Sequence, residues 1–182
     1  MKKKYFHLSN LSLKIISFSI ISFLLIMTVY FKQIQTAPKG TAFVSKSSIK
    51  GNAVVIDGDS IMISSIMIRL IGIDAPELQQ FCGNKEARYP CGLEAKKYLE
   101  HLIANQPVTC HWHKKDKYRR ILATCNTKQI SNINATLVRD GWALSYYDYP
   151  KEEQEARKKK EGIWQSSFQK PKKWRKRHPR TE

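Results

Sequence analysis

Acidic side chains are missing from the first 50 residues, which carry eight Lys and neither Asp nor Glu. Residues 168–182 are nearly as one-sided, with seven Lys or Arg against the single Glu182. Residues 51–167 hold 17 Lys/Arg and 14 Asp/Glu, so only +3 of the formal +17 belongs to the middle of this 182-residue chain. The ends therefore attract polyanions or anionic lipid without choosing among them. The middle is a nearly balanced domain of ordinary size. No C-x-x-C pair occurs among the four cysteines, which argues against a zinc ribbon. There is no internal repeat.

Charge is also absent from residues 15–31, a run rich in Ile, Leu and Phe that follows Lys2, Lys3 and Lys4. Its 17 residues reach the lower limit for a bilayer span and exceed a usual signal-peptide core. Gln33-Ile34-Gln35-Thr36 is a poor cleavage site. A retained anchor with its N-terminus in the cytoplasm is the preferred expectation, and a cleaved signal peptide the alternative. The first places the domain at the cell membrane, facing periplasm or exterior; the second secretes it. Four cysteines inside the domain suit an oxidising compartment and allow three connectivities. Cys110 and Cys125 lie nearly symmetrically about Lys117-Tyr118, as facing positions of a hairpin would. Cys82 and Cys91 then close the Gly- and Pro-containing loop between them.

The remainder divides into a linker (32–48), a domain (49–167) and a basic tail (168–182). Alternation of Val54, Ile56, Ile61, Ile63, Ile66, Ile68 and Leu70 predicts three antiparallel strands over 51–73. A loop from Pro76 to Pro90 precedes a helix carrying Leu93, Ala95, Tyr98, Leu99, Leu102 and Ile103. Val108–His113 and Arg120–Cys125 read as a hairpin. Helices follow from Asn132 to Asp140 and from about Lys151 to Glu161, ending at Gly141 and Gly162. Phe168, Pro171 and Trp174 are candidates to pin the tail, whose basic end is expected to stay disordered until it meets a polyanion.

Two stretches set acids directly against strand sequence: Val55-Ile56-Asp57-Gly58-Asp59-Ser60 and Ile68-Arg69-Leu70-Ile71-Gly72-Ile73-Asp74-Ala75-Pro76-Glu77. Carboxylates there destabilise unless compensated. A hard cation with oxygen ligands would compensate them, and a fixed guanidinium beside it suits phosphate. Asp-Gly between apolar residues is also a plain hairpin signal, and Asp74-Ala75-Pro76-Glu77 a strand exit into a turn. The conjunction carries more weight. A period-2 strand over 65–73 puts Arg69 and Ile73 on one face with Asp74 at its end. The preceding hairpin, turning near Ser64-Ser65, returns Asp59 to that same end. His111 and His113 would share a strand face, but no third metal ligand has matching spacing.

These two blocks resemble the staphylococcal nuclease family. So do Asp116-Lys117-Tyr118-Arg119-Arg120-Ile121-Leu122-Ala123, Asn134-Ala135-Thr136-Leu137-Val138-Arg139-Asp140-Gly141-Trp142-Ala143, and Glu155-Ala156-Arg157 through Glu161-Gly162-Ile163-Trp164. All five stand in family order over about residues 50–166. The resemblance implies an α+β fold: a five-stranded OB-fold β-barrel with three helices. It implies Ca²⁺ held by Asp59, Asp74 and the carbonyl of Ala75, where the family often has Thr. Asp57 would shape the turn, and Glu77 would orient or deprotonate the attacking water. Arg69 and Arg120 would clamp the phosphate; the neighbouring Arg119 replaces a residue that the family usually keeps small or polar. Tyr118, Tyr147 and Tyr149, with Lys117, match positions that contact the nucleotide. The implied enzyme is a monomeric endonuclease acting on DNA and/or RNA, leaving 5′-hydroxyl and 3′-phosphate ends, with no protein partner implied. A non-catalytic OB-fold nucleic-acid-binding module is the alternative, and a basic lipid-binding or scaffolding protein a third.

Overall fold

The computed structural model describes residues 10–35 and 47–179, and within the first helix the side chains of residues 19–32. The Lys2–Lys4 cluster and residues 36–46 of the expected linker lie outside the described residues. The chain divides into two units, residues 1–43 and 44–182. In the first, helix α1 (Asn10–Gln35) covers the uncharged run. Its side chains from 19 to 32 are exposed on every side. Among the described residues, no helix is long and apolar enough to cross a membrane.

The second unit is built on a curled sheet. Its strands are β1 (Ser47–Gly51), β2 (Ala53–Asp57), β3 (Ser60–Ile63), β4 (Ile66–Leu70), β6 (Val108–Lys115) and β7 (Ile121–Asn126), in the order β1-β6-β7-β4-β3-β2. β4 and β7 run parallel; the other neighbours are antiparallel. Two tight turns make the β2–β3–β4 meander. Gly58-Asp59 forms the first; Ser64 and Ser65 form the second, each of these serines with positive φ as in a type I′ hairpin turn. A separate ribbon pairs β5 (Ile73–Asp74) with β8 (Leu144–Ser145).

Helices α2 (Cys91–Ile103), α3 (Ile133–Arg139) and α4 (Pro150–Lys159) correspond to the three expected ones. Ile61, Ile63, Ile68, Leu70, Leu99, Val108, Ile121 and Leu137 fill the core between sheet and helices. The Asn132 side chain caps α3 by accepting from Ala135 N–H at 3.0 Å. This is the α+β, OB-type architecture that the resemblance implies, with additions at both ends.

At the N-terminal end, β1 adds a sixth strand by pairing with β6, so the linker expected over 32–48 is helical to Gln35 and strand from Ser47. At the other end Pro171–Arg177, part of the tail expected to be disordered, forms helix α5, and residues 180–182 lie outside the described residues. Several contacts hold it. Pro171 is buried at the first helical position, where its missing N–H costs nothing. Gly83 N–H donates to Ser167 O at 2.7 Å. Trp164 and Phe168 stack edge to face and pack on a second small core of Cys82, Cys91, Leu144 and Ile163.

Two disulfides join Cys82 to Cys91 and Cys110 to Cys125, leaving no free cysteine among the described residues. Cys110 and Cys125 are direct register partners across β6 and β7. His111 and His113 lie on that same β6, half-buried and exposed respectively.

Candidate active site

The β2–β3 turn presents Asp59. Its backbone N–H donates to the Asp57 carboxylate at 3.0 Å, so Asp57 shapes the turn. Gly58 is required for space, because a Cβ there would lie 2.8 Å from the Ala75 Cβ and 3.0 Å from that of Ala95. Asp59 is buried, and its two oxygens are divided among neighbours. Oδ1 accepts from an Arg69 guanidinium N–H and from the Ser60 hydroxyl at 3.2 Å; Oδ2 accepts from Ala75 N–H at 2.9 Å.

Register explains the arginine. Arg69 on β4 stands opposite Ser60 on β3, next to the turn that carries Asp59. Its second nitrogen reaches Asp74 Oδ1 at 3.3 Å, at the end of β5. Gly72, at φ +80°, turns the chain between the two strands. Three short segments thus bring Asp59, Arg69, Asp74 and Ala75 together. Burial alone would lower the Arg69 pKa, but Asp59 and Asp74 outweigh it and hold the guanidinium charged. The reverse holds at Asp59: burial pushes its carboxyl up to about 7, against the charge of Arg69 and with help from Asp57 and Asp74.

Glu77 follows in the loop after Pro76. Its backbone is fixed by Gln80, whose N–H donates to Glu77 O at 2.7 Å and whose Oε1 accepts from Glu77 N–H at 3.3 Å. Gly92 lets α2 pack against this loop, since a Cβ there would fall 1.7 Å from Glu77 O. The Glu77 carboxylate accepts from Arg175 of α5 at 2.7 Å. The same guanidinium grips both oxygens of Asp74, at 2.9 and 3.3 Å. Sequence reading missed Arg175 and Gln80. Within a run of Lys and Arg no single cation stands out; the usable signal was Pro171 as a helix start with an arginine four residues on, on one helix face.

Arg120 stands apart from this cluster in its contacts. Asp116 organises its turn, accepting from Tyr118 N–H, Arg120 N–H and Arg120 Nε at 2.9, 2.9 and 2.8 Å. Ile121, the next residue, pairs with Ile68 in the parallel β4–β7 ladder, so Arg120 enters the sheet beside the strand bearing Arg69. Tyr118 is exposed, with Lys117 Nζ 4.9 Å and Arg120 Cζ 5.7 Å from its ring centre. Arg119 is exposed at φ +66°. Tyr147 is 86% exposed, edge-on to Tyr146. Tyr149 differs: it packs against the core, and its hydroxyl accepts from Asn132 at 3.5 Å.

Among the described residues no three His, Cys, Asp or Glu side chains group so as to hold a metal ion by themselves. A hard cation here would draw on the Asp59 and Asp74 carboxylates, a main-chain oxygen of Ala75, and water. That donor chemistry fits a Ca²⁺-type ion, which takes about 6–8 oxygens.

Buried acids crossed by guanidinium groups, on a curled six-stranded sheet, suit phosphate chemistry. Residues 67–166 match the model of the staphylococcal nuclease homologue family, and the chain belongs to that family. It is 34% identical to the succinoglycan biosynthesis protein ExoI of Rhizobium meliloti (strain 1021), over 65% of this chain and 65% of that protein. It is 33% identical to an uncharacterized endonuclease of Escherichia coli, over 65% of this chain and 78% of the relative. A micrococcal nuclease of Shigella flexneri is 32% identical over 71% of this chain and 82% of its own length. The enzyme is a nuclease.

Proposed function

We propose that the chain is a Ca²⁺-dependent endonuclease acting on DNA and/or RNA as a monomer. Water attacks phosphorus, leaving 5′-hydroxyl and 3′-phosphate ends. The observation that carries this reading is the convergence of Asp59, Asp74 and Glu77 with Arg69 from separate segments, within hydrogen-bond reach of a shared set of guanidinium groups. Bound at Asp59, Asp74 and Ala75, the ion supplies Lewis-acid stabilisation of the phosphate. Glu77 holds the water and accepts its proton as the oxygen attacks. Arg69 and Arg120 take the charge that builds on the equatorial oxygens, each a planar donor fork fixed by its own acid. Tyr118, Lys117 and exposed Tyr147 offer a cationic and aromatic surface for the bases and backbone. Incubating the protein with labelled DNA and RNA, in Ca²⁺ or in chelator, tests the reading. Cleavage is expected only with Ca²⁺, giving fragments that a polymerase extends only after phosphatase treatment. Full activity in excess chelator would sink it.

We infer further that the domain works outside the cytoplasm, held by its N-terminal segment. Two disulfides are the support, because such bonds persist in oxidising compartments. The lysine cluster before the uncharged 15–31 run supplies the orientation. Membrane fractionation with carbonate extraction checks it, and N-terminal sequencing of the mature protein distinguishes an anchor from a cleaved signal.

A further inference from the structure

Arg175 lies far from the acids in sequence, yet α5 delivers it to the centre of the site. The delivery is built in. Pro171, buried, and Arg175 stand four residues apart and so share a helix face. Gln80 is completely buried and works in both directions: Oε1 accepts from Glu77 N–H, while Nε2 donates to Gln169 O at 2.6 Å. One side chain therefore ties the catalytic loop to the residues that begin α5.

Once there, the Arg175 fork occupies both oxygens of Asp74 and one of Glu77. A divalent cation that coordinates Asp74 arrives beside this guanidinium and repels it, so the Arg175 bonds give way as the ion binds. The displaced guanidinium stays tethered by α5 within side-chain reach of the phosphate bound beside Arg69. The helix also sends Lys173 and Arg177 to a groove of about 550 Å³ lined by Phe81 and Lys170. Cations beside an aromatic ring suit a nucleic-acid strand, and this groove lies on the face of α5 turned away from Arg175.

We propose that Arg175 is a further substrate-binding residue: it neutralises Asp74 and Glu77 before the cation enters, yields Asp74 to the cation, and then binds a phosphate of the substrate strand. This rests on the Ca²⁺-nuclease reading above. The test compares full-length wild-type protein with Arg175→Gln, Arg175→Lys and Lys176→Gln, the last an exposed cation on the same helix. Ca²⁺ affinity is measured by titration calorimetry without nucleic acid. KM and kcat are measured on a single-stranded oligonucleotide at saturating Ca²⁺. Loss of charge-assisted bonds predicts that Arg175→Gln binds Ca²⁺ about tenfold more tightly and raises KM about tenfold, with kcat little changed. Arg175→Lys, which keeps the charge without the two-pronged grip, should tighten Ca²⁺ while moving KM less. Lys176→Gln should leave Ca²⁺ affinity unchanged. Unaltered Ca²⁺ affinity in both Arg175 variants, or a lowered KM in Arg175→Gln, overturns the proposal. Wild-type cleavage in chelator would instead remove the reading beneath it.

Discussion

Asp59 and Glu77 are both carboxylates of one site, yet their surroundings give them different work. Asp59 is buried against Arg69, Ser60 and the Ala75 amide, a rigid donor suited to an ion. Glu77 sits on a loop, its side chain more open to water, and faces a displaceable arginine. Glu77→Gln should therefore lower kcat by about 10²–10⁴-fold, as loss of a general base does, while Ca²⁺ affinity by calorimetry stays near wild type. Asp59→Ala should do the opposite first, weakening Ca²⁺ binding. Equal effects of both variants on Ca²⁺ would void the division of labour. The adjacent arginines separate in the same manner. Arg120 is anchored by Asp116, whereas Arg119 is exposed at φ +66°, a position where the backbone favours glycine. That explains how a residue usually small tolerates a long side chain here: it points into water. Arg120→Ala should cut kcat about 10²–10³-fold, the scale for losing a charge-stabilising donor. Arg119→Gly should change it little; a larger loss at Arg119 would reassign the phosphate contact.

Elements with strong periodicity are legible in the amino-acid sequence. The β2–β4 meander, its Ser64-Ser65 turn, α2, and α3 between Asn132 and Gly141 all follow from alternation, caps and glycine. What stays hidden there depends on partners distant along the chain. β1 reads as half-polar Ser-Ser-Ile-Lys-Gly and becomes a strand only because β6 offers an edge. α5 reads as a solvated lysine run, and what docks it is distant in sequence: Gln80, the Gly83–Ser167 bond, buried Pro171, and the Arg175 bonds to Asp74 and Glu77. Gly92, visible as a helix start, proves to be the point where α2 meets the Glu77 loop. Gly92→Ala would force Glu77 O to move. A misplacement of about 1 Å can cost about 10²-fold in rate, so kcat should fall on that scale while far-UV circular dichroism is retained; wild-type turnover would show that the loop position is not critical. The Cys110–Cys125 bridge closes a loop of sequence separation 15, for which constraint of the unfolded chain gives about 3 kcal/mol. Replacing both cysteines by Ala should lower Tm by roughly 10 °C, read by thermal denaturation. An unchanged Tm would mean that the β6–β7 ladder holds its register without the bond.

For the whole molecule, charge distribution and fold bear on each other. Composition alone puts the positive excess at the two ends and leaves the domain with only +3. Which of those cations belong to the site is not legible there, because a lysine run looks alike whether it waves in solvent or lies on a sheet. Helix α5 resolves the tail into faces. Arg175 meets the acids, Lys173 and Arg177 border the Phe81 groove, and Lys172 Nζ lies 6.0 Å from the Tyr146 ring. The tail thus presents cations on more than one face of a helix, as well as a general attraction for polyanions. Salt separates the two roles, because each phosphate contact on a single strand releases counterions and adds about 0.7 to the slope of log affinity against log salt. Converting Lys173 and Arg177 to Gln should therefore flatten that slope by roughly 1.4 for a single-stranded oligonucleotide, measured by fluorescence anisotropy between low and moderate salt with Ca²⁺ present and Glu77→Gln in the background to prevent turnover. Converting the exposed Lys158 and Lys160, at the far end of α4, should leave it nearly unchanged. If both pairs flatten the slope equally, the basic tail acts as a diffuse field and the groove beside Phe81 holds no strand.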